Sequence, residues 1–138
     1  MKDTTEVSRG TVEMVKPVAA ANWTGLDLIP FETIAERFLD LDENGKQETL
    51  IVAFGKPFVV EGKGWACPYR INSMGHDRVS LACGADAVQA LQLAMHMVHS
   101  ELSMMAKHHK ISFLGTDDFG FGRVADPTAE GAKCPVMP

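Results

Sequence analysis

One segment constrains this chain more than any other: Asp86 to Lys107 reads as a single long amphipathic helix. Leu91, Met95, Val98, Leu102 and Met105 recur at helical spacing, and Ala90, Leu93, Met97 and Met104 widen the apolar stripe. Asp86 and Gln89 have capping-box spacing: the carboxylate accepts from an orphan amide and the glutamine reaches back. Lys107, His108, His109 and Lys110 put positive charge where the helix dipole favours it. So wide a stripe cannot be buried by the helix alone, and a sheet face is the available partner.

The residues upstream predict that sheet. Leu50, Val52 and Phe54 alternate with Thr49, Ile51 and Ala53, which is the period of a strand. Asn44-Gly45 lies just before, and both positions tolerate the positive φ of a tight hairpin turn. Residues 33–41 could instead be a helix, since Phe31, Ile34, Ala35, Phe38 and Leu39 fit a helical stripe; the turn decides for a hairpin pairing 33–41 with 47–55. A third strand is expected over Trp65 to Asn72, with Pro68 at an edge-facing position or a bulge. A fourth is expected over Arg78 to Cys83. The fold class is therefore α+β: a four-stranded antiparallel meander packed against one long C-terminal helix. Ile111 to Leu114 is a short extended piece.

The 138 residues, 46% of them apolar, suit one domain with one core. We divide the chain into an N-terminal arm (1–30), a domain (31–122) and a loose tail (123–138). Residues 1–10 are polar and without period. Ala19 to Ala21, Trp23, Leu26, Leu28 and Ile29 are too apolar for a free tail, so the arm should lie on the domain or on a second copy. Net charge is −5, and the only basic cluster ends the helix, which argues against a nucleic-acid surface. No run approaches the roughly 18 apolar residues of a membrane span, and charged residues interrupt the start. Cys67, Cys83 and Cys134 have no CxxC spacing. A cytoplasmic protein with reduced thiols is the simplest expectation.

Trp65-Ala66-Cys67-Pro68-Tyr69-Arg70-Ile71, then Gly84 through Ala94 with its Gln-Ala-Leu-Gln-Leu-Ala run, then Phe113-Leu114-Gly115 followed by Phe119-Gly120-Phe121, resembles a group of short bacterial proteins known only as a domain of unknown function. The resemblance spans residues 33–122. The group often carries tryptophan where Phe113 stands. What it implies is a bacterial cytosolic protein with a β-meander and a helix; it carries no activity and no catalytic residues.

Several side chains are candidates for chemistry. His96 and His99 stand one helical turn apart and could share zinc, but Gln92 and Ser103 beside them are poor ligands, and a solvated helix face serves as well. Cys67 and Cys83 could face each other across adjacent strands, or be two small buried hydrophobes. Cys67 with His76 is a conceivable nucleophile pair lacking a third residue to orient the imidazole. Asp117 and Asp118 are carboxylates beside glycine, more often turn formers than ligands. Gly120 and Gly122 lack the strand–loop–helix setting of a phosphate loop, so close packing explains them better. Cys134 is the thiol expected to be most exposed.

The expectation is a non-enzymatic protein-binding or accessory domain, possible in an immunity-type, toxin-neutralising form. Trp65, Tyr69, Gln92, His96 and His99 are assigned to binding, with no cofactor and no metal. Partners are another protein or a second copy. The alternative is a metal- or small-molecule-binding domain using His96 and His99, or Cys67 and Cys83.

Overall fold

The computed structural model describes residues 11–73 and 75–121. The expectations for residues 1–10, for the tail and for Cys134 lie outside them. The described elements run β1 (Glu13–Val15), a 3-10 turn (Ala19–Ala21), β2 (Ile29–Phe31), β3 (Thr33–Glu43), β4 (Lys46–Gly55), β5 (Phe58–Val60), β6 (Gly64–Ser73), β7 (His76–Gly84), α1 (Ala87–Met105) and β8 (Lys110–Ser112).

The central meander forms as the pattern predicts. β3 pairs antiparallel with β4 from Thr33↔Gly55 to Glu43↔Lys46, with a bulge between Thr33 and Ala35. Asn44 (φ 55°) and Gly45 (φ 85°) make the turn, and Asp42 accepts the Gly45 amide at 2.9 Å. β4 pairs with β6, and β6 with β7 along its whole length.

The sheet nevertheless has six strands rather than four. Two local causes account for the additions. The chain breaks after Gly55 and resumes as β5, which pairs with β6 where β4 leaves it. A side chain at Gly55 would stand 2.7 Å from the Pro68 ring, so the close crossing favours glycine. Pro68 lies opposite the break, between Ala66↔Phe58 and Tyr69↔Phe54, and by strand alternation its missing N–H would point into that gap. The second addition is β8, which returns after the helix to pair Ile111 with Leu41 on the edge of β3.

α1 lies across β6 and β7. Its centre is Ala90, Leu93, Ala94, Val98 and Leu102, while Leu91, Met95 and Met105 pack on its flanks. The expected stripe was therefore displaced toward the small residues. The reason is close approach: a side chain at Gly84 would stand 2.6 Å from the Ala90 amide, so the helix start sits directly on the end of β7. The Asp86 carboxylate accepts the Gln89 amide at 2.8 Å, but Gln89 reaches back to the amide of Ala85 rather than of Asp86. The helix stops at Met105, short of Lys107. It is not long and apolar enough to cross a membrane.

The opposite sheet face carries a second core. Val15, Ile29 and Phe31 from the arm bury Ala53, Val60, Ala66, Val79 and Leu81, with Trp23 and Phe58 at the margin. β1 and β2 pair as a small ribbon. The arm thus lies on its own domain. Arg70 holds it there, its guanidinium 4.8 Å from the Phe31 ring and 3.2 Å from the Glu13 carboxylate.

Candidate functional site

β7 is an edge strand: it pairs with β6 alone in the sheet. α1 packs on it, and a groove lined by both elements runs along their junction. One pocket of about 310 Å³ is walled by Trp23 and the 3-10 turn on one side and by Ser80, Leu93 and Met97 on the other. A second, of about 430 Å³, lies between Ile71, Ser73 and His76 on the sheet and Met104 and Met105 on the helix. Arg78 and Glu101 line both pockets, so the two are one groove divided by that pair.

The divider is a small polar network. Tyr69 reaches from β6 to donate its hydroxyl to Glu101 at 3.0 Å, and Glu101 lies 3.6 Å from Arg78. Burial, then the Glu101 charge, pushes the Tyr69 phenol above its ordinary range, so it stays protonated and holds the carboxylate as a donor. The apolar walls include Met97 and Met104, the latter 62% exposed. Solvent-facing methionine at a groove is adaptable contact surface.

Of the residues assigned to binding from sequence, only Tyr69 lines this groove. Trp65 packs against the helix-side core instead. Gln92 is exposed and lines none of the three pockets described here. His96 and His99 do not form a simple solvated strip: both are half-buried, and His99 lies 5.9 Å from the Phe119 ring, with a buried Nδ1 that lacks a hydrogen-bond partner. Among the described residues no three His, Cys, Asp or Glu side chains come close enough to hold a metal ion.

The cysteine readings change with the register. Cys67 pairs with Ala82 and Cys83 with Ala66, so the two sulfurs point to opposite faces of the sheet. Cys67 is free, fully buried, and pushed up by that burial to about 12, which keeps it a thiol. Cys83 is disulfide-bonded, so the expectation of reduced thiols fails there. His76 pairs with Ser73, six residues along β6 from Cys67. That is about 20 Å at strand rise, too far for a nucleophile and base.

The loop after β8 is built around Arg37, which sequence reasoning passed over. Its guanidinium stacks on Phe113 and Phe121 at 4.4 and 4.8 Å and donates to the carbonyls of Phe119 and Gly120. Gly120 has φ 80°, and a side chain there would strike Arg37 and Phe113. Asp118 accepts the Gly120 amide at 2.9 Å as a turn former. Leu114, 83% exposed, takes a left-handed φ of 52° at the loop tip. The signal for the groove was present in the paired strand and helix patterns. The signal for Arg37 was only its period-two spacing with Leu39 and Leu41.

Among the described residues, fold and groove define an antiparallel α+β domain with one α-helix and an open apolar cleft bridged by an ion pair. The chain belongs to the family described as domain of unknown function DUF6968, whose model matches residues 35–123. The match starts inside β3, so the β1–β2 ribbon and the Trp23 and 3-10 wall of the groove lie outside it, while the β6–β7 and α1 walls, the helix and the Arg37 loop lie within. No curated protein and no solved structure matches the chain.

Proposed function

We propose that the protein is a non-catalytic binding module that receives an apolar segment of another protein along the α1–β7 groove. One observation carries the reading: two apolar pockets adjoin at the Arg78–Glu101 pair. Alternate side chains of an extended segment stand about 7 Å apart. One can enter on each side of the bridge, while the bridge offers a donor and an acceptor to the segment's backbone. A bacterial toxin whose active site becomes covered is the concrete form of such a partner. A cytoplasmic setting is part of this proposal; the disulfide at Cys83 pulls against it, and cell fractionation decides.

A photo-crosslinking residue at Met104, with a matched one at exposed Lys46 as control, tests the groove in the native cell. A single protein adduct is expected from position 104 and lost with Met97→Glu. No adduct, or the same adducts from both positions, defeats the reading. An adduct with a second copy reassigns the groove to self-association.

Pocket size favours a second reading. Both volumes fall within the roughly 300–1,000 Å³ of small-molecule sites, and Tyr69, Ser80, Arg78 and Glu101 are the few polar groups such a site uses. Native mass spectrometry of protein from its own cells distinguishes the two: a retained small molecule supports this reading over the first.

A further inference from the structure

Among the described residues, the face opposite α1 is covered over β5, β6 and β7 by the arm, and no element lies over β3 and the middle of β4. There Phe38 pairs across the ladder with Ile51. Phe38 is 59% exposed and Ile51 half-buried. Glu36 and Asp40 stand on the same face, two residues to either side of Phe38, and both are exposed. Neither enters a salt bridge among the described residues. Their cross-strand partners, Ala53 and Thr49, are neutral, as is Asn72 beyond Ile51. Two cations stand near this face: Arg70 is engaged with Glu13 and Asp77, and Lys110 lies opposite Asp42, diagonal to Asp40, without forming a salt bridge to either among the described residues. The result is an apolar anchor point framed by two carboxylates that enter no salt bridge among the described residues.

We propose that this half-sheet docks a cationic protein segment, with an apolar side chain seated on Phe38 and Ile51 and lysine or arginine meeting Glu36 and Asp40. Charge complementarity selects the occupant. The frame attracts cations, and the chain's net charge of −5 adds to the field. A second copy would set Glu36 and Asp40 against their own counterparts, a like-charge contact that disfavours association. The surface lies on the sheet face opposite the α1 groove, so its fate is independent of the function proposed above.

The test uses amide-resolved NMR of the full chain with two synthetic peptides. Each has a central tryptophan; one carries lysine two residues away on both sides, the other glutamate. The lysine peptide is expected to shift the amides of 36–40 and 49–53, with affinity that falls as salt rises. Glu36→Lys with Asp40→Lys should weaken it at least about tenfold, and Phe38→Ser should abolish the shifts while the rest of the spectrum stays folded. Equal response to both peptides, shifts confined to α1 and β7, or indifference to charge reversal overturns the proposal. Peptide-free shifts of these amides that grow with protein concentration also overturn it, because a second copy then holds the face.

Discussion

One sheet face is covered by the 19 continuous residues of α1, and the other by two three-residue strands with a 3-10 turn between them. The helix satisfies its own backbone and needs the sheet only for its apolar side. The ribbon satisfies few of its own amides and is held by side chains: Ile29 and Phe31 in the core, Arg70 on Glu13, and the Lys63 ammonium on the Trp23 carbonyl at 2.6 Å. One tie to the sheet is backbone, from the Val18 amide to the Val79 carbonyl at 2.9 Å. The helix layer should therefore open only with the whole domain, and the ribbon should open by itself.

The sharpest way to break that comparison is to hollow out each layer. Phe31→Ala removes a fully buried ring, a loss of about 3–5 kcal/mol, and Leu102→Ala costs about 2–5 kcal/mol. The sizes overlap, but the distribution should not. Hydrogen exchange should accelerate in residues 13–31 of the Phe31 variant while α1 keeps its protection. The Leu102 variant should lose protection everywhere at once. If both variants unfold as one unit, the layers are not energetically separate.

Close approach gives the next effect. Gly84→Ala places a carbon 2.6 Å from the Ala90 backbone amide, and the helix start must lift off the sheet. Overpacking of this kind costs about 1–3 kcal/mol. Gly55→Ala meets the Pro68 ring at 2.7 Å on the arm side, where a proline ring can shift more readily than helix backbone. Urea midpoints should fall more for Gly84→Ala than for Gly55→Ala.

These positions also show what was legible from sequence. Strand alternation and the Asn-Gly turn placed β3 and β4 to within two residues, because burial of one face and turn geometry are both local in sequence. β5 and β8 were not legible as strands of the sheet. Each has three residues, too few to show a period; β5 pairs locally, Val59 with Trp65 across a hairpin turn, whereas β8 owes its pairing to a partner distant in sequence, Leu41 for Ile111. In the site, Tyr69 was named but its partner was not. Glu101 sits 32 residues away, on a helix face that becomes the groove wall only once α1 packs on β7. His96 and His99 drew attention through spacing alone, and spacing cannot show that Phe119 returns to lie on His99.

Alkali should sharpen the comparison by attacking one layer. Cys67 and Tyr69 both face the helix side, and burial raises both in the folded state, Cys67 from 9.0 to about 12. A group raised on folding contributes its stability fully below the unfolded value and loses it as pH climbs toward the folded one. Stability should thus hold up to about pH 9 and fall by roughly 1 kcal/mol by pH 10 through Cys67. Tyr69 adds to the decline above its ordinary 10.0. Urea midpoints measured from pH 8 to 11 should show this slope, and Cys67→Ala should flatten its first unit. An unchanged slope in that variant assigns the decline to other groups.

The smallest effects compare the polar tie of each layer. Tyr69→Phe removes the buried donor to Glu101 and leaves that carboxylate to Arg78 alone; the cost is about 0.5–1.5 kcal/mol. Glu13→Gln weakens the tie to Arg70 at a side chain that is 59% exposed, where water and salt screen the charge. About 0.2–1 kcal/mol is the range for such a pair, and the lower end applies because Arg70 keeps Asp77 at 3.1 Å and the Phe31 ring. The Glu13 loss should fade in high salt and the Tyr69 loss should persist, because the first is an exposed ion pair and the second a part-buried hydrogen bond from a neutral donor. A Glu13 variant that costs more than Tyr69→Phe, and does so at high salt, means that Arg70 is the ribbon's main latch. The arm would then be held by charge rather than by the burial of Ile29 and Phe31.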